Sequence, residues 1–189
     1  MTVREASADD VAAIREIARA AWETDYPEIL SRETAERGVE EWYQSSHIEG
    51  EVTGSRTRLF VACVEGVDGD GDEAARGDED DDERVVGFAH AELGRDDEGY
   101  VLRLYVHPDH RNRGLGRRLL ERTREDLFVH GAERVNAMVL AANEPGNAFY
   151  RSLGFEKVSE DETTIGGEPY RETTYALERD ADGGRYGPS

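Results

Sequence analysis

The sequence predicts an α/β fold, because strands and helices alternate along the chain. Apolar residues recur at helical spacing in several segments and cluster in short runs between them, as expected for helices packed on a sheet. The 189 residues suffice for one domain, with 37% hydrophobic residues for a core and 35% charged residues for its surface. We expect one domain over residues 1–179, with an acidic loop insertion at 66–84 and a flexible tail at 180–189.

The first half of the chain contains two predicted helices and three predicted strands. Val11, Ile14 and Ile17 begin an apolar helical face that continues to Trp22. Two apolar runs flank the acidic, glycine-rich insertion and predict a hairpin with a long loop. In order, the expected elements are a strand at 3–6, a helix capped by Asp9, a second helix at 31–46, and strands at 58–65 and 85–93.

The second half repeats the order strand, loop and helix twice. A strand at 100–106 leads through a loop to Gly114, after which leucines recur at helical spacing. An apolar strand at 135–140 leads to Asn143, a residue type that favours helix caps. The remaining expected elements are a helix that ends at Gly154 and a strand pair at 163–165 and 173–177.

The chain is strongly acidic, with a formal net charge of -20, of which residues 68–83 contribute -9. Lys157 is the one lysine among 23 basic residues. An acidic surface almost without lysine indicates adaptation to a salt-rich cytoplasm, as in a halophile, because salt screens the repulsion between carboxylates. The same acidity argues against nucleic acid as a partner, since phosphates would be repelled.

Cysteine content and hydropathy exclude other classes. Cys63 is the single cysteine, so neither an internal disulfide nor a cysteine-rich metal site is expected, and its apolar neighbours predict burial. No apolar stretch approaches the length of a membrane span and no signal pattern is present, so we expect a cytoplasmic protein. Acidic residues of the insertion approach calcium-loop spacing, but Glu73 stands where such a loop needs glycine, and no metal is expected.

One segment departs from the general acidity. Residues 103–124 contain seven arginines and two acidic residues, a balance of +5, around the run RNRGLG at 111–116. A strand that turns through such a loop into a helix presents unpaired N–H groups and the positive end of the helix dipole. The glycine spacing fits neither a P-loop nor a dinucleotide fingerprint. The segment therefore predicts a site for another polyanionic ligand.

Two sequence blocks resemble a known family. The residues YVLRLYVHP at 100–108, followed by the run at 111–116, are similar to the acetyl-CoA-binding signature of the GNAT superfamily of N-acetyltransferases. The residues NEP at 143–145 and FYRSLGF at 149–155 are similar to its second block, although Gly146 replaces the usual alanine and is expected to loosen the helix start. The resemblance implies a mixed, mostly antiparallel central sheet flanked by helices, with a splayed parallel strand pair forming the CoA slot.

The resemblance assigns the binding of acetyl-CoA to three parts of the sequence. Backbone N–H groups of the glycine run would hold the pyrophosphate, with charge-assisted contacts from its arginines. The preceding strand would offer backbone hydrogen bonds to the pantetheine arm, and a bulge in it would open the slot. The residues expected to bind the cofactor are Leu104, Tyr105, Val106, Arg111, Asn112, Arg113, Gly114, Leu115, Gly116, Arg117, Asn143 and Tyr150.

The resemblance also implies acetyl transfer to a primary amine by direct attack. Tyr150 would protonate the leaving thiolate, and a backbone N–H near Val106 would polarise the thioester carbonyl. Glu98, just ahead of the glycine-loop strand, is expected to be the general base, with His107 and His110 as alternatives.

Two questions stay open from the sequence. The same fold would also suit a non-catalytic acyl-CoA sensor or partner module, although Tyr150 together with Asn143 favours an enzyme. The acceptor, whether a protein N-terminus, a lysine or a small-molecule amine, is expected to contact residues 22–55 and 163–175. We expect a monomer or homodimer that acts without nucleic acid, membrane or metal.

Overall fold

A computed structural model of the chain describes residues 1–42, 50, 54–65 and 83–180. Residues 43–46 of the predicted second helix, 66–82 of the predicted insertion and 181–189 of the predicted tail lie outside this part. The helices and strands are β1 (Thr2–Glu5), α1 (Val11–Asp25), α2 (Arg32–Trp42), β2 (Thr57–Glu65), β3 (Glu83–Leu93), β4 (Glu98–Val106), α3 (Leu115–Val129), β5 (Arg134–Leu140), α4 (Glu144–Ser152), β6 (Glu156–Ile165) and β7 (Glu168–Glu178).

The described strands form a seven-stranded sheet in the order β1-β2-β3-β4-β5-β7-β6. Neighbouring strands are antiparallel except β4 and β5, which are parallel and connected through α3. Such a parallel pair requires a crossover, and the helix provides it. The mixed, mostly antiparallel sheet confirms the predicted fold class.

The strands β4 and β5 separate part-way along their length. Their pairing covers residues 98–101 of β4 and 134–137 of β5. At the same point β4 contains a bulge, because Leu102 is skipped between the partners of His90 and Ala91 on β3. A bulge bends its strand and increases the local twist. The two strands therefore splay apart beyond the paired end, as the predicted slot requires.

Helices cover both faces of the sheet. Side chains alternate between the faces along each strand. On β2, Val61 belongs to the core cluster that contains Ile14 of α1, whereas Phe60 belongs to the cluster that contains Leu119 of α3. The helix α2 packs on α1, and α4 shares a cluster with α3. One face thus carries α1 and α2, and the other carries α3 and α4.

The entry into α1 differs from the prediction of a cap at Asp9, which is wrong. Ser7 precedes a short 3-10 turn, Ala8–Asp10, and its amide donates to the Asp10 carboxylate at 2.7 Å. The same carboxylate forms an ion pair with Arg4 at 2.8 Å. Asp10 therefore joins the start of the helix to β1.

The C-terminal hairpin is much longer than the strand pair that the sequence predicts. Most of β6 is exposed and polar, as is typical of an edge strand, so it shows no apolar alternation. Gly166 and Gly167 have positive φ angles of 57° and 86° and form a two-residue turn. Such glycine pairs are a strong hairpin signal and would have predicted the longer strands.

Two smaller expectations concern burial and membranes. Cys63 is fully buried, as predicted. Among the described residues, no helix combines the length and the apolar character that crossing a lipid bilayer would need.

Candidate active site

The open end of the split between β4 and β5 forms a cleft of about 480 Å³. Its walls come from β4, β5, the loop before α3, the first turn of that helix and α4, while α1 and the final hairpin contribute to the other side. Glu98 and Arg113 are not among the lining residues. The predicted residues that line the cleft are Leu104, Tyr105, Val106, Arg111, Asn112, Gly114, Leu115, Gly116, Arg117, Asn143 and Tyr150.

The N-terminus of α3 opens into the cleft with unsatisfied backbone donors. The first hydrogen bond of the helix runs from the Arg118 amide to the Gly114 carbonyl at 3.1 Å. The three preceding amides, from Leu115 onward, therefore have no acceptor within the helix. Gly114 has a φ of 77°, a left-handed conformation that glycine adopts without strain. These donors and the helix dipole favour an anion at this end of the cleft.

Gly116 leaves the first turn of α3 open toward the cleft. A Cβ at this position would lie 3.5 Å from Phe149 and 3.7 Å from Leu104, which are ordinary contact distances. Packing within the chain therefore does not require glycine here. Close approach of a ligand to the backbone does explain it.

Arg111 ties the loop to two other elements. Its guanidinium donates to both carboxylate oxygens of Asp25, at the end of α1, at 2.6 and 2.8 Å. Its Nε donates to the carbonyl of Val106 at 3.1 Å. Bidentate pairs of this kind are strong and geometrically specific. The structure thus gives Arg111 a positioning role that the sequence did not indicate, and its phosphate contact stays a prediction.

The other arginines give the mouth of the cleft its positive charge. Arg103 of β4 and Arg117 of α3 line the cleft, and Arg117 also pairs with Glu121 one turn further along the helix at 2.8 Å. Arg113 is exposed and is not among the residues that line the cleft. The positive charges of these side chains therefore lie at the solvent-exposed entrance of the cleft.

Tyr150 of α4 is buried in the wall of the cleft. Its ring meets Phe149 and Phe155 edge to face at 5.2 and 5.5 Å and stacks on Tyr175 at 6.0 Å. Burial, together with the neighbouring Tyr105, raises the pKa of its phenol well above the usual value. The hydroxyl therefore keeps its proton at neutral pH, as a general acid must.

Asn143 caps α4, as the sequence predicts. Its Oδ1 accepts a hydrogen bond from the Gly146 amide at 3.1 Å. A Cβ at residue 146 would lie 2.8 Å from the Asn143 side chain and 3.0 Å from Val139, which is too close. Glycine at this position therefore accommodates the cap rather than loosening the start of the helix.

Glu98, the predicted general base, lies at the other end of β4. Its carboxylate accepts hydrogen bonds from Asn136 at 2.7 Å and Tyr100 at 3.2 Å, where β4 and β5 are still paired. The structure therefore does not bring Glu98 together with Tyr150. Of the two alternatives, His110 lines the cleft.

Residues that no motif marks close the other side of the cleft. Trp22 and Tyr26 of α1 lie with ring centroids 5.0 Å apart, and Ile165 and Glu172 come from the final hairpin. They fall within the two ranges expected to contact the acceptor. The sequence could not single them out because tertiary packing alone brings them together. Within the described ranges, no three His, Cys, Asp or Glu side chains are grouped to hold a metal ion.

Comparison with known sequences identifies a matching family profile and related N-acetyltransferases. The profile of the acetyltransferase (GNAT) family matches residues 11–155. The spermidine N(1)-acetyltransferase of Thermoplasma acidophilum is 23% identical over 154 residues, 82% of this chain and 87% of that protein. The ribosomal protein bS18-alanine N-acetyltransferase of Salmonella typhimurium is 36% identical over 78 residues, 41% of this chain and 52% of that protein.

Solved structures share the fold. The PaiA N-acetyltransferase from Thermoplasma acidophilum, in complex with coenzyme A, gives a TM-score of 0.75 at 21% identity, covering 94% of this chain and 98% of that one. The GCN5-related N-acetyltransferase from Rhodopseudomonas palustris gives 0.73 at 20% identity, covering 94% and 95%. Since the family profile spans most of the sequence, the chain belongs to the GNAT family of acetyltransferases.

Proposed function

We propose that the protein transfers the acetyl group of acetyl-CoA to a primary amine by direct attack. The observation that carries this proposal is the split between β4 and β5, with unsatisfied helix amides at one end and Tyr150 in its wall. Such a slot would hold the pantetheine arm in extended form and leave the thioester carbonyl accessible.

The phosphates of the cofactor fit the N-terminus of α3. Of the expected donors at residues 111–117, the Arg111 amide already donates to the Pro108 carbonyl at 3.4 Å. The amides of residues 112–117 would hold the pyrophosphate, and Gly116 allows it to approach the backbone. Arg113 and Arg117 are exposed near this end and would meet the outer phosphates of the nucleotide. The local positive charge has this use in a chain that is acidic elsewhere.

The pantetheine arm fits the open edge of β4. The His107 amide donates to the Val86 carbonyl of β3 at 2.8 Å. Amides alternate between the two edges of a strand, so those of Val106 and Leu104 point into the split. They would pair with the arm as an added strand does, and the Val106 amide would polarise the thioester carbonyl.

Tyr150 would complete the reaction on the thiol. A neutral amine forms a bond to the carbonyl carbon, the carbon–sulfur bond breaks, and the Tyr150 hydroxyl supplies a proton to the leaving thiolate. The raised pKa of this phenol keeps the proton available at neutral pH. Positioning of the two reactants in the split would supply much of the remaining rate.

The acceptor is proposed only as a primary amine. Relatives are named for spermidine and for the alanine of a ribosomal protein, and these acceptors differ in size and charge. A protein N-terminus, a lysine and a small amine therefore all belong to the proposal. We further propose a single domain over residues 1–179 that works in a salt-rich cytoplasm as a monomer or homodimer.

A transfer assay over a panel of such amines tests the proposal. Free CoA thiol should appear only when acetyl-CoA and an amine are both present, and Tyr150→Phe should lower turnover by ~10² to 10⁴ at nearly unchanged CoA affinity. Unaltered turnover in Tyr150→Phe would remove this residue from the mechanism. Saturable CoA binding without thiol release on any amine would instead favour the sensor.

A further inference from the structure

Glu172 of β7 and Tyr150 of α4 line the cleft from opposite faces of the sheet. Its neighbours Thr173 and Tyr175 are buried, and Tyr175 stacks on Tyr150 at 6.0 Å, on the face that carries α3 and α4. Because side chains alternate along a strand, Glu172 projects toward the face that carries α1 and α2, as does its cross-strand partner Leu140. A thioester in the split would therefore have Tyr150 on one side and Glu172 on the other.

The surroundings of Glu172 are largely apolar. Leu140, Ile165 and Trp22 line the same cleft and belong to one core cluster. The carboxylate is half-buried, and this burial, with the charge of Asp161 on β6, raises its pKa above the usual value. In the part of the chain that the structure describes, no cation or hydrogen-bond donor is paired with it.

A carboxylate in this setting brings no structural benefit, since burying a charge without a partner disfavours folding. Asp25, the other carboxylate that lines the cleft, is by contrast neutralised by the guanidinium of Arg111. Of these two groups, Glu172 has its oxygens available to a ligand. Among the described residues that line the cleft, Glu172 is thus the carboxylate that is unpaired and open to an incoming molecule.

We propose that Glu172 is the general base of the transfer, a role that rests on the function proposed above. The acceptor would enter as an ammonium on the side of α1, pair with Glu172 and give it one proton. The neutral amine then bonds to the thioester carbon. As the carbon–sulfur bond breaks, Tyr150 protonates the thiolate. The nitrogen loses a second proton, which replaces the proton of Tyr150 by way of solvent, and Glu172 releases the first proton to solvent and is again a carboxylate.

The pH dependence follows from the state that a base requires. Glu172 must be ionised, so kcat/KM should fall as the pH is lowered through its raised pKa, above the usual range for a glutamate. This fall of kcat/KM at low pH is the acid limb of the pH profile, and it should be absent in Glu172→Gln. Several other titratable or charged groups lie on its face or in the adjoining cleft. Among the described residues they are Asp161, Tyr170, Asp25, Tyr26, Arg103, Tyr105, His110, Arg111, Arg117 and Tyr150.

The test measures kcat/KM against pH for the wild type and Glu172→Gln with an amine that the wild type acetylates. We expect a loss of ~10² to 10⁴ in the variant at neutral pH, and partial recovery in Glu172→Asp. CoA affinity should stay within about twofold. The melting temperature of Glu172→Gln should be unchanged or higher, because an unpaired buried charge is removed, whereas a structural residue would show a loss.

Glu178→Gln is the matched control. Glu178 lies six residues further along β7 on the same face, is exposed and pairs with Arg134 at 2.7 Å, far from the lined cleft. This variant should retain both the wild-type rate and the acid limb. Glu98→Gln tests the alternative base, and on the present proposal it also keeps the acid limb.

Two results would overturn this assignment alone. One is that the wild type is active and Glu172→Gln keeps both the wild-type rate and the acid limb. The other is loss of the limb in Glu98→Gln but not in Glu172→Gln. A wild type that binds CoA yet acetylates no amine would instead overturn the proposed function, and the assignment of Glu172 with it.

Discussion

Gly116 is a position where a ligand, and not the fold, would require glycine. It lies inside the first turn of α3, where glycine is a poor helix former, and packing within the chain would accept a Cβ there. Gly131, at the other end of the same helix, has a φ of 102° and is required by the backbone itself. The glycine inside the helix and the glycine just after it are therefore explained by different physical requirements.

The Gly116→Ala variant should keep its fold and lose its ligand. We expect stability to be unchanged or raised by up to ~1 kcal/mol, because alanine is the better helix former. Acetyl-CoA binding should weaken by about tenfold or more, or ~1.4 kcal/mol, since the added methyl group displaces the phosphate. Thermal melting and titration calorimetry measure the two quantities.

Gly131→Ala is the control for this prediction. The left-handed backbone at residue 131 should make it destabilising by about 1 to 2 kcal/mol, while CoA affinity stays at the wild-type value. If Gly116→Ala bound acetyl-CoA as tightly as the wild type, the backbone of the first turn would not be the phosphate site.

Local chemistry decides which site residues the sequence can predict. The glycine run and Asn143 are predictable because a turn, a helix start and a cap each leave a signature within a few residues. The sequence pointed to Glu98 because it precedes a strand. The glutamate that lines the cleft is instead Glu172, which lies on β7. That position depends on strand order and register, which no local pattern encodes.

The pair of Arg111 and Asp25 acts at the scale of elements. It joins the loop before α3 to the end of α1, and the same guanidinium holds the last carbonyl of β4. The proposed phosphate site at the loop and the aromatic wall of α1 are thereby connected through one side chain. An arginine that served only as a positive charge near phosphates would not need this fork.

Arg111→Lys distinguishes the two roles. Lysine keeps the charge but cannot make the bidentate contact, so we expect weaker acetyl-CoA binding and a lower melting temperature. Asp25→Asn should have similar effects, and the double variant should show a coupling of about 1 kcal/mol instead of additive losses. If Arg111→Lys kept the wild-type affinity and stability, the charge of Arg111 would be its only contribution.

Element type was more predictable than element length. The strands and helices from β2 to α4 follow from apolar periodicity and from the residues that start and stop them. The edge strand β6 escapes this reasoning because its exposed face carries no apolar pattern. The split of β4 from β5 follows from the family resemblance and from a bulge at Leu102, which periodicity does not reveal.

Charge is the property of the whole molecule. A net charge of -20 repels itself, and at 0.1 M salt the screening length of about 10 Å leaves much of that repulsion in place. At 1 M salt the length falls to about 3 Å, so the folded state should be favoured. The positively charged N-terminal end of α3 is an exception to this general acidity, and a phosphate-bearing ligand would explain it.

The salt dependence of stability checks this view. The melting temperature should rise steadily between low and molar potassium chloride, because the compact state concentrates the acidic charge more than the unfolded chain does. An equal melting temperature at both salt concentrations would remove the support for salt adaptation. CoA binding should weaken over the same range, since its phosphates are held by charge.

The release of free CoA from acetyl-CoA as a function of amine concentration shows whether the protein acetylates amines. We expect a rate that saturates in both substrates, with an acetylated amine as the product and a much lower rate in Tyr150→Phe. Saturable binding of acetyl-CoA without amine-dependent release of thiol, across N-terminal peptides, lysine and polyamines at high salt, would contradict it.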